Sequence, residues 1–509
     1  MDYRANLSSA VYPMTLADAG RTVINPQADQ NFDRRVDPAG EQKDAGIPQA
    51  LYLENVVPTV SGYQSFGFLE RDALPLNGGA AVRVRSARRL SNYIVLFREG
   101  TSSFYDVISN YADLSGTWTP STGTIPSATG GPDKVFTAFV RGTYYAFIPG
   151  NLYEVTFPTP PKATFTSVSG SVSGITLADI VSICASFNYL IAVDDTGVVY
   201  WSSTTTPTDF TPSLVTGAGS ETPNGAKGSP QFLVECPEGF YVYYTESVVF
   251  AKYTGNARYP WKFIPVSDSG GYDLYSRVAG NINSVTQFTI DTSNKVQLIE
   301  GAISKVVAPE VSSYLERKKY RDIYDSTTDT FSREIYAVVT TKLFFVEDRY
   351  LLTNIDDTWI WYDLLLQRYG RLNIHAHYIY SGAGRLYFIP YYADICYIGT
   401  FNIYDSAAEF PCHAMFGKFQ YVRDRFLELD GLEIESDRDE NILADELTVK
   451  VFPTLDGNNF LSPTTLVTES SGLLVKSKCR ITGKNLSIML SGVFNINTLQ
   501  LDFHLGGKR

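Results

Sequence analysis

Short runs of apolar and β-branched residues, each cut off by turn residues, recur along the chain. Residues 187–201 show the unit most clearly. Residues 189–193 are aromatic, aliphatic and β-branched, which suits a half-buried pleated surface. Asp194-Asp195-Thr196-Gly197 is turn chemistry, because Asp tolerates left-handed backbone and Gly adopts it freely. Residues 198–201 are a second strand, so the stretch predicts a β-hairpin. The same pattern predicts that 93–97 pairs with 103–107, 144–148 with 152–156, 240–244 with 248–253, and 287–291 with 295–299. Further on it predicts 334–340 with 343–346, a strand at 358–364, and 386–391 with 395–398. One hairpin is marginal by itself. A repeat of about 45 to 55 residues fits four-stranded propeller blades, six of them give or take one.

The pattern changes in two places. Residues 309–321 begin with Pro and Glu and end in cations, as a helix prefers. After residue 421, strands at 426–436, 447–454, 473–481, 486–491 and 497–504 with short connections predict a β-sandwich. Residues 1–46 show no sustained period and are expected to form an irregular arm. The expected organisation is an all-β chain: an arm over 1–46, a β-propeller over 47–421 and a C-terminal β-sandwich over 422–509.

Composition sharpens this picture. Of 509 residues, 14% are aromatic, with 34 Tyr and 30 Phe, which favours strands over helices. The net charge of -12 argues against a conventional nucleic-acid binder, which would carry a basic patch. It leaves room for a protein that DNA slides past. No run of eighteen apolar residues exists, so no membrane insertion is expected. No apolar run follows Met1-Asp2-Tyr3-Arg4, so no signal peptide is expected. Cys184, Cys236, Cys396, Cys412 and Cys479 are odd in number and scattered, which predicts buried thiols in a reducing compartment.

Candidate chemistry is sparse. Asp195-Thr196-Gly197-Val198-Val199-Tyr200 resembles the Asp-box turn of sialidase-like propellers, with Val193 where Ser or Thr is expected. That box is structural, so a plain hairpin turn is expected. His375 and His377 share a strand face at a spacing a metal site can use, but a third ligand is needed, and His413 and His504 are remote in sequence. Asp194-Asp195 and Asp356-Asp357 could pair as a glycosidase dyad, yet both lie in turns, where Asp is expected anyway. No GxSxG, HExxH or phosphate-cradling Gly loop is present, so no enzyme, cofactor or metal is expected. Two charge runs remain. Residues 428–446 hold nine carboxylates against Arg438. They read as a solvated loop or, more sharply, as an acidic DNA-channel lining through Glu433, Glu435, Asp437, Asp439 and Glu440 that repels phosphates. The basic run Arg317-Lys318-Lys319-Tyr320-Arg321 reads as a solvated helix end.

Three regions point to one family. Asn55-Val56-Val57-Pro58-Thr59-Val60-Ser61-Gly62-Tyr63-Gln64-Ser65-Phe66-Gly67 resembles the early segment of the tail hub, or packaged-DNA stabilisation, proteins of short-tailed bacteriophages. A Pro expected between Phe66 and Gly67 is missing. Gln297-Leu298-Ile299 followed by Val306-Val307-Ala308-Pro309 is similar in order. So are Leu432-Glu433-Ile434-Glu435-Ser436, Leu455-Asp456-Gly457-Asn458-Asn459-Phe460 and Arg480-Ile481-Thr482. Each is weak alone, and their order carries the resemblance; the tail nozzle proteins are close neighbours. The resemblance implies a structural subunit of the virion tail, made in the bacterial host cytoplasm, that forms a homo-hexameric ring below the portal-adaptor. Such a ring carries a tail needle or tip and tailspikes or fibres, retains packaged DNA, and passes double-stranded DNA without specific binding. The alternative is a propeller-type tail protein that binds or hydrolyses glycans.

Overall fold

The computed structural model describes strands and most turns between residues 12 and 505, continuously over 135–159 and 162–256; stretches such as 25–49, 272–278, 312–319, 336–342, 401–411 and 436–446 fall outside it. The described part is almost entirely β. Among the described residues seven antiparallel blades follow one another along the chain, six built on four strands in sequential order and the seventh on three such strands plus one from much earlier. The first four blades are built on Val82–Leu90, Phe136–Val140, Ile180–Ser186 and Pro230–Cys236, and the last three on Ala279–Gly280, Leu343–Val346 and Tyr378–Gly382. Each names the first strand of its blade, and each blade then runs outward strand by strand.

Successive side chains point to opposite faces of a strand, and in the described blades both faces carry apolar groups, so a blade packs on both neighbours. In blade four, Phe240, Val242 and Tyr244 join Ile191, Val193 and Trp201 of blade three, while Tyr241, Tyr243 and Val248 face Ile299 of blade five. Equivalent clusters join blades one to two, two to three, five to six and six to seven. The ring closes at the seventh blade. Its outer strand is Gly67–Ala73, from far earlier in the chain, paired with Ile395–Thr400. Tyr392–Ala393, from the connection between the second and third strands of that blade, joins the sheet of blade one by pairing with Val82–Leu90. Seven blades stand at the upper edge of the expected number.

The sandwich has two sheets. One holds His413–Tyr421, Asn485–Gly492 and Leu447–Thr454; the other holds Leu427–Glu435, Thr498–Leu505 and Leu474–Gly483. Leu432, Ile434, Val449, Val451, Ile488, Leu490 and Leu501 fill the space between. The expected boundary at 422 cuts one strand too late, because His413–Tyr421 pairs with Asn485–Gly492 inside the sandwich. The arm also differs from expectation. Tyr12–Met14 pairs in parallel with His413–Tyr421, and Gly20–Ile24 pairs with Thr498–Leu505.

Two further expectations change. Thr330–Ile335 pairs backwards with Tyr320–Asp325, so Glu334 and Ile335 of the expected 334–340 strand pair there, and Leu343–Val346 pairs with Tyr350–Ile355; residues 336–340 lie outside the described residues. Alternation reveals strands but does not choose partners between two adjacent candidates. Tyr320 and Arg321 are strand rather than helix end; the centre of the expected helix lies outside the described residues.

Candidate functional site

The Gly67 end of the resembling segment leads into the blade that closes the ring, and its described residues, 55–58 and 63–67, form the joint between the two domains. Asn55 holds a left-handed φ of 53° and is buried. It turns the chain from Ala50–Glu54, which pairs in the sandwich, into Val56–Pro58, which extends blade six. Neighbouring side chains on that strand point opposite ways. Val56 enters the sandwich core and Val57 the core between blades six and seven. The strands approach so closely that a Cβ on Gly370 would lie 2.1 Å from the Val56 carbonyl oxygen. Ser65 completes the joint: its Oγ accepts from the Phe494 N–H at 2.7 Å, and its own N–H donates to the Phe494 carbonyl at 2.9 Å. Phe66 is wholly buried, with ring centroids 5.6 Å from Trp361 and 6.0 Å from Phe388.

A second, polar contact ties the domains. The hairpin of Tyr320–Asp325 and Thr330–Ile335 lies between blades five and six in the chain and rests on a sandwich sheet through Tyr324, Met415, Phe452 and Met489. Tyr324 donates its hydroxyl proton to Asp329 at 2.5 Å, and Lys450 of the sandwich forms an ion pair with the same carboxylate. Asp329, at φ 54°, is held below the usual carboxylate range by Lys450 and Tyr324 against the opposing effect of burial, which is the largest single influence. His413 packs edge-on to the Tyr324 ring, with centroids 4.9 Å apart, and its Nδ1 lies 2.8 Å from Ser491 Oγ. Burial lowers its pKa, the facing Glu54 opposes this, and Lys450 adds to it. None of these four residues was singled out as a group from the sequence. The only local signal is the Asp-Ser-Thr-Thr-Asp turn at 325–329.

The acidic run is partly described. Glu433 and Glu435 lie on Leu427–Glu435; Asp437, Asp439 and Glu440 lie outside the described residues. The neighbouring strand Leu474–Gly483 alternates Lys476, Lys478 and Arg480 along it. Glu433 sits opposite Lys476 and forms an ion pair with it at 2.9 Å, and buried Glu428 pairs with Arg480. Within this strand, then, Glu428 and Glu433 have basic partners from a segment the sequence reading did not connect to them.

The remaining candidates are quickly placed. Asp194 closes its own turn. Its Oδ1 accepts from the N–H groups of Thr196 and Val198 at 3.0 and 2.9 Å, and its Oδ2 from the Tyr200 hydroxyl at 2.9 Å. Gly197 supplies φ 90°. Burial and then Asp194 push the Tyr200 hydroxyl up to about 12. Asp291 repeats the device in blade five, accepting from Ser293, Lys295 and Gln297. Both carboxylates are consumed by turn geometry, as the plain hairpin reading expects. His375, His377, Asp356 and Asp357 lie outside the described residues, and no group of metal-ligating side chains occurs among the described ones. Cys184, Cys236, Cys412 and Cys479 are in no disulfide among the described residues, and burial pushes each thiol up; the Cys396 side chain lies outside them. Thiols held protonated in this way are poor nucleophiles. Among the described residues no helix is long and apolar enough to cross a membrane.

No protein-family model and no curated protein matches the chain. Among solved structures, it is similar to YCF48 from Cyanidioschyzon merolae at TM-score 0.37 and 11% identity, over 65% of this chain and 98% of that one. YCF48 bound to a D1 peptide matches at TM-score 0.37 and 11% identity, over 66% and 96%. BamB from Moraxella catarrhalis matches at TM-score 0.33 and 8% identity, over 65% and 98%. At such scores these likenesses carry no argument, and the propeller rests on the sheet order above.

Proposed function

We propose that the chain is a structural subunit of a short-tailed bacteriophage tail, a hub or nozzle protein that forms a ring below the portal-adaptor, retains packaged DNA and passes it on infection. The supporting observation is where the resemblance falls. Residues 55–67 carry it, and their described part, 55–58 and 63–67, is the joint: Asn55 turns the chain, Val56 and Val57 divide between two cores, Ser65 fastens the sandwich side and Phe66 the propeller side. A likeness concentrated on architecture rather than on a pocket suits a structural role. The C-terminal matches agree, since Leu432, Ile434 and Ile481 line one core and sit on adjacent paired strands.

In this reading Glu433, Glu435, Asp437, Asp439 and Glu440 form the DNA-facing acidic stretch, with Lys476 offsetting Glu433. The test is made on particles. Virions lacking the protein are expected to package DNA and then lose it, and particle-averaged electron microscopy is expected to locate the protein as a ring beneath the portal. Full, stable particles without the protein would reject the proposal.

A further inference from the structure

The hairpin of Tyr320–Asp325 and Thr330–Ile335 is built unlike the blades around it. Among the described residues it is a sheet of two strands that joins no blade. Two strands alone are marginal in water, so what the hairpin rests on decides where it stays. It rests on the sandwich. Ala414, Phe416, Val449, Val451, Ile488 and Leu490 point into the sandwich core, so the residues between them form the outer face of that sheet. His413, Met415, Lys450, Phe452 and Met489 lie on this outer face, and Tyr324 packs there with Met415, Phe452 and Met489. The far end of the hairpin is tied within itself. Asp325 Oδ1 accepts from the Thr327 N–H and Oδ2 from the Thr328 hydroxyl, both at 2.8 Å, and residues 325–328 are exposed. The hairpin can therefore move as one piece.

The contact that holds it is made of groups that titrate. Asp329 pairs with Lys450 and accepts the Tyr324 hydroxyl proton. His413, only 4% exposed, lies under the Tyr324 ring. Three elements face this imidazole. Glu54 is its register partner on Ala50–Glu54, Ser491 on Asn485–Gly492 bonds to its Nδ1, and Tyr324 covers it from the hairpin, with Lys450 close enough to act on its charge. Glu54 favours a proton on the ring. Burial, the largest influence, and Lys450 oppose it and prevail. A proton on His413 or on Asp329 thus works against the docked hairpin. The other attachment between the domains is built differently: residues 55–58 and 63–67 include no Asp, Glu, His, Lys or Arg.

We propose that the hairpin is an acid-released strap: a proton on His413 lifts it from the sandwich while the joint at 55–58 and 63–67 holds, so that two attachments between the domains become one. In the lifted state His413 is uncovered and takes up its proton near the ordinary value of about 6.5, whereas the docked state takes it up only at lower pH. Docking is therefore complete above about pH 6.5 and weakens as pH falls towards the docked value. The Asp329–Lys450 pair gives way later, below the ordinary carboxylate value of about 3.9. Lifting takes Tyr324 off the face formed by Met415, Phe452 and Met489.

Amide hydrogen exchange of the full chain, read by mass spectrometry and corrected for the intrinsic pH dependence of exchange, tests the strap. One proton shifts such an equilibrium by at most about tenfold per pH unit. Protection over 320–335 is expected to fall about tenfold between about pH 7.5 and about pH 5, while protection over 239–253 in blade four holds. His413→Gln cannot take the proton and is expected to keep the hairpin equally protected at both pH values. Protection over 239–253 at the higher pH shows that the variant folds; if it does not, His413→Asn, whose amide nitrogen can stand near the Nδ1 position, makes the same test. Hairpin protection that does not change with pH in wild type overturns the proposal. So does an acid step that survives in the folded His413 variant. Loss of protection over 239–253 in step with the hairpin also overturns it, since the acid would then be unfolding the whole chain rather than lifting a strap.

Discussion

The contact between blades three and four and the contact between propeller and sandwich hold the molecule by different means. The first is dry and repetitive: Phe240, Val242 and Tyr244 against Ile191, Val193 and Trp201, with tolerance for any side chain of similar volume. The second is short and specific. It relies on Val56 in the sandwich core, one serine bonded to the backbone of Phe494 across the joint, and the Tyr324–Asp329–Lys450 group. Apolar packing specifies that surfaces meet, whereas directional bonds to buried groups specify in which register they meet. The joint is therefore the place where single changes should matter most.

The largest effect is expected from Phe66→Ala, which empties a fully buried site between Trp361 and Phe388 and should cost about 3–5 kcal/mol in denaturant unfolding. A loss under about 1 kcal/mol would mean that the core between blades six and seven, which the joint enters through Phe66, collapses around the missing ring. Ser65→Ala should cost about 1–3 kcal/mol, because the buried Phe494 N–H loses its Oγ acceptor. Limited proteolysis is expected to separate the domains in that variant before either unfolds.

The polar contact should also respond to pH. His413 has a lowered pKa in the folded chain, so the unfolded chain takes up the proton first. Stability is expected to fall as pH drops from about 6.5 towards the lowered folded value, and His413→Gln should flatten that slope in thermal melts. A slope unchanged in the variant would assign the dependence to another group. The smallest effect belongs to the blade contact. Tyr244→Phe removes only a 3.5 Å contact with the Gly197 carbonyl and should shift stability by a few tenths of a kcal/mol.

The comparison also explains what the sequence revealed. Blade hairpins were legible because their two strands are neighbours with a diagnostic turn between them; 240–244 and 248–253, for example, fall on Gly239–Tyr244 and Val248–Tyr253. Pairings across the chain left no local trace. Nothing in residues 20–24 announces a partner at 499–503, and nothing in Ser65 announces Phe494. The acidic stretch was visible as composition, but Lys476 and Arg480 reach it from 43 and 52 residues further along, so its partial neutralisation was not. A segment that resembles a family was recognisable without its role, because Val56 and Val57 look alike in sequence and differ only in which core receives them.

The outer strand of the seventh blade, Gly67–Ala73, sets an order of events during synthesis. It leaves the ribosome before any of the seven first strands, yet its partner Ile395–Thr400 comes after six blades have been made. Pairings so distant in sequence are slow to form and leave an unpaired edge in the meantime. A nascent chain truncated anywhere before residue 395 is thus an open arc with a waiting strand. Commitment to the closed ring is a late, nearly all-or-none step, and a chaperone would have most to protect just before it.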